Sequence, residues 1–244
     1  MRPIRRGTSP IAGDYHDYNK AKPELVSRLG SYCSYCERRI ATQLAVEHIQ
    51  PKALQKYAHL EGRWTNFLLA SVNCNSTKSK KDILLTDVLL PDRDNTFAAF
   101  TYLPDGTIQP SIIAIEKRLQ VVAQKTLELT GLHKEAINTP DINGKQVALD
   151  RVSQRMEVWL KAQEAKCELQ NNPNNLHLQK YIIKLALAEG FFSVWLTVFE
   201  DDTDMRSRLI AAFPSTQESG CFDENGIPIS PARNPDNLEH GGKI

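Results

Sequence analysis

The chain has 244 residues, of which 41% are hydrophobic and 24% charged, a composition typical of a soluble globular protein. It contains no run of about 18 apolar residues, and its basic start lacks an apolar segment, so neither a membrane span nor a secretory signal is expected. Five cysteines, two of them spaced C-x-x-C, favour a metal site or free thiols in a reducing, cytoplasmic compartment over a disulfide framework.

The formal net charge of +1 conceals an uneven distribution along the chain. Residues 1–82 carry 14 lysines and arginines against 7 acidic residues, whereas the remainder carries 16 against 22. A polyanion such as nucleic acid would be attracted to the basic segment. The candidate contacts are Arg5, Arg6, Lys80 and Lys81. The alternatives are a flexible basic terminus for the arginines and a solvated basic patch for the lysines.

The N-terminal half of the sequence predicts a short helix followed by small β elements. Residues 17–30 have a helical pattern that ends at Gly30. Residues 31–50 predict a hairpin or tight knuckle with a short strand in QLAVEHI, and residues 63–82 pass from an apolar segment into a polar turn. Residues 97–110 contain two apolar runs around PDG, which predicts a β-hairpin.

The C-terminal half changes to a helical period. Ser111 is a predicted N-cap of a helix that ends at Gly131, and Gly190 is expected to interrupt a strongly apolar helix. An irregular tail, its end expected to be disordered, is predicted from Pro214 onward. The predicted helical segments are 111–131, 146–170, 176–199 and 203–212.

Residues 47–78 contain the groups that phosphodiester hydrolysis requires, namely a base, metal ligands and a cation. His48 titrates near neutral pH and suits the base, while Glu47 offers a hard oxygen to Mg²⁺ or Mn²⁺. Asn75 is a second oxygen ligand, and Lys78 shares its helical face and would pair with a phosphate oxygen. Asn66 can bond backbone groups and hold the loop that carries His48.

Adjacent residues on a strand point to opposite faces, which constrains this interpretation. Glu47 and His48 are neighbours in the predicted strand. Both can serve one ion and one water only if the strand twists or bends at this position.

The order of these residues resembles the HNH endonuclease superfamily. The matching elements are Cys33-x-x-Cys36, Glu47-His48-Ile-Gln-Pro, Asn66 and Cys74-Asn75-x-x-Lys78. Stretches from RPIRRGTSP to FPSTQESGCFDENGIPI are further similar to the PtuB-like HNH subunits of Septu and retron-associated antiphage defence systems. The specific motif residues lie within roughly 32–82, and the helical remainder matches only in general character.

This resemblance implies an α+β protein in which a small ββα-metal unit carries catalysis. It places the nuclease within residues 1–110, with a basic N-terminal arm, and a mostly α-helical region within 111–244. It implies hydrolysis with one Mg²⁺ or Mn²⁺ ion in the bacterial cytoplasm. It also implies a PtuA-type ATPase as partner, joined in retron versions by a reverse transcriptase and its msDNA. The substrate stays open between DNA and RNA.

The sequence departs from the family pattern at Ser71, where a cysteine is expected. Three zinc ligands remain: Cys33, Cys36 and Cys74. A fourth ligand could come from His59 or Cys221, water could complete a weak site, or the knuckle could fold without zinc. The departure also supports a rival hypothesis, in which a decayed HNH fold binds nucleic acid or scaffolds a complex without cutting.

Overall fold

A computed structural model describes residues 1–134 and 150–244, with the backbone alone at 139–140 and 146–147. Within these residues the protein is α+β, with short strands paired as three two-stranded antiparallel sheets. The helices are α1 Lys22–Leu29, α2 Val72–Lys78, α3 Thr96–Ala99, α4 Ile112–Glu116, α5 Gln120–Thr130, α6 Arg151–Asn171, α7 Leu176–Glu189, α8 Phe192–Val198 and α9 Thr203–Ala212. The strands are β1 Ala45–His48, β2 Phe67–Ala70, β3 Phe100–Tyr102, β4 Ile108–Pro110, β5 Thr139–Pro140 and β6 Gln146–Val147. In the described part of the chain, no helix combines the length and apolarity needed to cross a bilayer.

Strands β1 and β2 pair antiparallel, and α2 follows β2 after a single residue. The register sets Glu47 opposite Leu68 and His48 opposite Phe67. All four residues of β2 are buried, which explains its continuous apolar sequence. Ser71 then caps α2, its hydroxyl accepting a hydrogen bond from the Cys74 amide at 3.2 Å. The chain thus places strand, strand and helix in direct succession around the predicted site.

The C-x-x-C segment forms a tight knuckle that is bonded to β2. The Cys33 amide donates to the Arg38 carbonyl at 3.0 Å, and the Glu37 amide donates to the Cys33 carbonyl at 2.9 Å. The Ser34 amide donates to the Leu69 carbonyl at 2.8 Å, which anchors the knuckle to the sheet. These bonds bring the two knuckle cysteines beside the start of α2.

The predicted hairpin is confirmed from Phe100 onward, whereas its first predicted residues belong to helix α3, and the helix predicted after it is two helices. Strands β3 and β4 pair around a turn in which Gly106 has a φ of 76°. Ser111 caps α4 as expected, and the chain then breaks at Arg118, whose φ is 59°. Ile112, on the predicted apolar face, is 65% exposed, whereas Ala114 of α4 and Ala123 of α5 are buried.

The later helices follow the predicted order closely. Helix α6 begins at Arg151, after its N-cap Asp150, and not at residue 146, whose backbone belongs to β6. Gly190 interrupts the apolar segment as predicted, with a φ of 79°. A Cβ at this position would lie 2.6 Å from the Glu37 carbonyl oxygen. Glycine is therefore required both by the backbone angle and by close contact with the knuckle.

The N-terminal segment is packed into the protein and is not a flexible basic arm. Arg6 is 1% exposed, and its guanidinium lies 3.0 Å from the Asp92 carboxylate and also donates to the Phe67 carbonyl. Arg6 is thus unavailable to nucleic acid, because a buried guanidinium needs these partners inside the protein. Arg5 is partly exposed and pairs with Asp236 at 2.8 Å.

The C-terminal tail is irregular, as predicted, but its end is ordered against the core. The Ile244 carbonyl accepts hydrogen bonds from the amides of Asn95 and Ala232, at 3.0 and 2.8 Å. Ile244 itself is fully buried. Buried residues from 1–110 and from 111–244 join in one hydrophobic core. The predicted site therefore rests on packing from both halves of the chain.

Candidate functional site

A cavity of about 270 Å³ opens between the end of β1 and one face of α2. Its lining includes Glu47 and His48 from β1, and Asn75 and Lys78 from α2. Tyr18, from the turn that precedes α1, closes another side. Two neighbours in the sequence thus line one cavity at the end of the strand, where the chain bends at residues 49–50.

His48 is held in one tautomer by the backbone. Its Nε2 atom lies 2.9 Å from the Glu61 carbonyl oxygen. A carbonyl only accepts, so Nε2 carries the proton and Nδ1 is the basic nitrogen of the neutral ring. The rings of Tyr18 and Phe67 contact the imidazole edge-on, at centroid distances of 4.8 and 5.2 Å. Burial lowers the pKa of His48, which favours the neutral ring at neutral pH.

Glu47 and Lys78 form a buried ion pair beneath the cavity. Each side chain is 2% exposed, and Nζ of Lys78 lies 2.7 Å from Oε1 of Glu47. The same ammonium donates to the His48 carbonyl at 2.7 Å. Burial raises the pKa of Glu47, and the charge of Lys78 opposes that rise.

These contacts revise the expected role of Lys78. The spacing from Asn75 predicts an ammonium that is free to pair with a phosphate oxygen. The helical face is as expected, but β1 packs directly against it, so Lys78 is directed at Glu47 and the His48 carbonyl. A buried ammonium requires such partners, and Lys78 is therefore a residue that positions the end of β1.

The oxygen atoms of the cavity suit a hard divalent ion. Oε1 of Glu47 is buried and, within the described residues, makes no well-aligned hydrogen bond despite its contact with Lys78. The half-buried Asn75 adds a neutral carboxamide to the same lining. Carboxylate and carboxamide oxygens are ligands of Mg²⁺ and Mn²⁺. An ion bound here would share the Glu47 carboxylate with Lys78.

Asn66 fixes the loop that follows His48. Its Oδ1 accepts from the Gln50 amide at 2.8 Å, and its Nδ2 donates to the Gln50 carbonyl at 3.0 Å and to the Leu60 carbonyl at 3.3 Å. The side chain is 4% exposed. Its bonds tie the residues just after the strand to the segment that supplies the Glu61 carbonyl, and so they set the position of the imidazole.

The cationic groups nearest the cavity differ from those expected. Lys80 is exposed and lines the cavity, whereas Lys81 lines a separate one beside Asp87. Lys52 was not predicted, yet its Nζ lies 4.0 Å above the Tyr18 ring and pairs with Glu61 at the rim. No spacing rule identifies Lys52, because its place depends on the fold of the loop after β1.

A second cluster, of three thiols, lies at the start of α2. The Sγ atoms of Cys33, Cys36 and Cys74 are all within 4.8 Å of one another, and all three residues are buried. The Ser71 hydroxyl lies 3.8 Å from Sγ of Cys36. Hydrogen bonds from the neighbouring thiols hold the pKa of Cys36 well below its ordinary value. Burial raises the pKa of Cys33 to about 12.

The two proposed sources of a fourth ligand are wrong. His59 lines a different cavity, beside Gln50 and Arg63, and Cys221 lies near Asn95 and Ser219. Among the described residues, the group of side chains that could hold a metal ion here consists of the three cysteines alone. A tetrahedral zinc ion with bonds of about 2.3 Å sets its sulfur ligands about 3.8 Å apart, so these sulfurs fit zinc after a small contraction.

Changing Ser71 to cysteine is expected to lower the stability of the protein without zinc and to raise it with zinc. Without zinc the variant loses the hydroxyl cap of α2 and should be less stable by about 1 kcal/mol. With zinc it supplies a fourth thiolate beside Cys36 and should unfold at a higher temperature than the unmodified protein. Thermal unfolding with excess zinc and with a chelator measures both effects. Equal unfolding temperatures in zinc would contradict the placement of residue 71 at the cluster.

The structure thus brings four predicted side chains to one cavity and three predicted cysteines to one cluster. The two groups share α2, which carries Cys74 and Asn75 in succession. Comparison with models of known protein families and with curated protein sequences found no match to this chain.

Proposed function

We propose that this protein is a metal-dependent endonuclease of the HNH type that hydrolyses phosphodiester bonds of nucleic acid. The main support is the single cavity that holds a neutral histidine, a buried carboxylate and a carboxamide. The succession of β1, β2 and α2 around that cavity supports the same proposal. The resemblance of the motif order to HNH endonucleases adds independent support.

The proposed chemistry assigns one task to each side chain. His48 accepts a proton from the attacking water at Nδ1, while the Glu61 carbonyl holds the opposite ring nitrogen. Glu47 and Asn75 would hold Mg²⁺ or Mn²⁺, and the bound ion would offset charge on the scissile phosphate. Lys78 positions Glu47 and the His48 backbone.

Two further lysines are proposed to bind phosphates of the nucleic acid that flank the reacting one. Lys52 and Lys80 lie at the rim of the cavity, where they can contact flanking phosphates. The ion pair of Lys52 with Glu61 is surface-exposed and therefore weak enough to exchange for a phosphate.

The biological setting follows from the resemblance to PtuB-like subunits. We propose that the protein is the effector of an antiphage defence complex with a PtuA-type ATPase. In a retron version, a reverse transcriptase and its msDNA would join the complex. This placement is tested by co-purification of the chain with such an ATPase.

Cleavage assays with a matched pair of asparagine variants test the activity. Plasmid DNA and tRNA are incubated with the protein in Mn²⁺, Mg²⁺ or EDTA, with and without the PtuA-type ATPase. Asn75→Ala is expected to cut at least about tenfold more slowly and to need more metal ion. Asn73→Ala removes an exposed carboxamide from the same helix and should cut normally. Full activity of Asn75→Ala, or cutting in EDTA, would contradict the proposal.

Nucleic-acid binding without cleavage is the second candidate function. The observation that favours it is the Lys78–Glu47 ion pair, which already neutralises the carboxylate that would bind the ion. This candidate predicts tight binding of nucleic acid in EDTA, no cleavage in any metal, and unchanged affinity in Asn75→Ala. Cleavage and binding measurements on the unmodified protein and on Asn75→Ala therefore distinguish the two functions.

A further inference from the structure

The start of α6 directs a buried arginine at the thiol cluster. Arg151 is 8% exposed, and its NH1 atom lies 2.9 Å from Sγ of Cys74. The same guanidinium donates to the carbonyls of Thr130 and Gly131, at 2.9 and 2.8 Å. Three contacts hold its plane in place, so its charge is fixed beside the sulfur.

A second buried arginine follows one helical turn later. Arg155 is 3% exposed, and its Nε donates to the Gly106 carbonyl at 2.6 Å. Its two terminal nitrogens are buried without a hydrogen-bond partner in the described part of the chain. The spacing of four residues from Arg151 places both on one helical face. Burial lowers the pKa of Arg155, and negative charge at Cys36 opposes that shift.

Two cations in the first two turns of a helix are electrostatically unfavourable. The amino end of a helix carries partial positive charge, which favours acidic residues there. Burial adds a desolvation cost to each guanidinium. The N-cap Asp150 offsets part of the helix charge, but Arg151 itself contacts a sulfur and two carbonyls. A compensating anion at the thiol cluster would offset both costs.

Zinc held by three thiolates supplies such an anion. The ion contributes two positive charges and the thiolates three negative ones, so the centre has a net charge of −1. The Ser71 hydroxyl beside it adds no charge. The positive charges of α6 would then face a net negative charge at the thiol cluster.

We propose that Arg151, supported by Arg155, is the counter-charge of a three-thiolate zinc centre formed by Cys33, Cys36 and Cys74. Zinc binding at the knuckle and docking of α6 against it then form one coupled event. The proposal concerns metal affinity and stability, and it does not depend on whether the protein cleaves nucleic acid.

Zinc affinity measured by competition with a chromophoric chelator tests the proposal. Arg151→Met is expected to weaken zinc binding by about 10–100-fold, the range for groups that contact metal ligands. Arg206→Met is the matched control, because Arg206 is a buried arginine that donates to the Gly226 carbonyl and contacts no cysteine. It should lower the unfolding temperature while leaving zinc affinity unchanged.

Two further readouts distinguish charge from packing. Arg151→Lys retains the positive charge and should recover more than half of the lost binding free energy, whereas Arg155→Met should weaken binding by a smaller factor than Arg151→Met. The zinc-induced rise in unfolding temperature should shrink in the same order. Equal zinc affinity in Arg151→Met and Arg206→Met would overturn the proposal. The proposal would also be overturned if the unmodified protein, reconstituted with zinc, bound none.

Discussion

Replacing His48 with glutamine is expected to slow phosphodiester cleavage by about 10²–10⁴-fold, the usual contribution of a general base. Glutamine is preferable to alanine because its amide can still donate to the Glu61 carbonyl that fixes His48. The fold should therefore survive, as judged by an unchanged unfolding temperature. Cleavage is followed under single-turnover conditions in Mn²⁺, with the same nucleic acid for both proteins.

His59→Gln is the matched control for this variant. His59 lies in the loop after β1 but lines the neighbouring cavity, so its loss should leave cleavage unchanged. Equal effects of the two substitutions would refute a base role for His48. Retained cleavage in His48→Gln would do the same.

The pH profile of the unmodified protein provides a second readout of His48. Only the neutral imidazole accepts a proton, so cleavage falls as pH drops through the pKa of His48. Burial lowers that pKa, and the acid limb of the kcat/KM profile is therefore expected below the ordinary value of about 6.5. An acid limb at or above that value would show that another group controls the rate.

Replacing Lys78 with methionine is expected to destabilise the protein by about 3–5 kcal/mol, because it leaves the buried Glu47 carboxylate without its cation. The double variant Glu47→Gln with Lys78→Met removes both charges and should recover most of that loss. Urea unfolding of the two variants and of the unmodified protein measures the difference. An equally large loss in the double variant would mean that packing, and not charge pairing, dominates at this position.

The stability of Lys78→Met should also depend on pH. Burial raises the pKa of Glu47, and the variant lacks the charge that opposes this rise. A carboxyl with a raised folded pKa binds its proton more tightly in the folded state, so stability falls as pH rises above the unfolded value. The deficit should thus be larger at pH 8 than at pH 5. The double variant, with no ionisable group at residue 47, should not show this increase.

Local signals predicted much of the fold. The glycines at 131 and 190 end helices where the sequence indicates, since positive φ angles at both sites suit a residue without a side chain. The N-cap at Ser111 and the hairpin at residues 97–110 follow from short-range hydrogen bonding. The break at Arg118 cannot be predicted from the sequence, because no glycine or proline marks the position where the φ angle becomes positive.

The residues of the candidate site were predictable from the sequence, but their contacts with one another were not. Motif spacing indicates Glu47, His48, Asn75 and Lys78, and these do line one cavity. Spacing cannot tell whether a lysine faces solvent or a buried carboxylate, since that depends on the element packed across from it. The burial of Arg6 against Asp92 could not be predicted for the same reason, because its partner lies 86 positions away in the sequence.

The close approach at Gly190 constrains how this protein can be recombined. The turn between α7 and α8 rests on the backbone of Glu37, the residue directly after Cys36, with no space for a side chain between them. A chimera that takes its helices from one parent and its knuckle from another must therefore preserve glycine at the junction and the backbone shape opposite it. In such a chimera the helical half and the thiol knuckle should therefore be exchanged together.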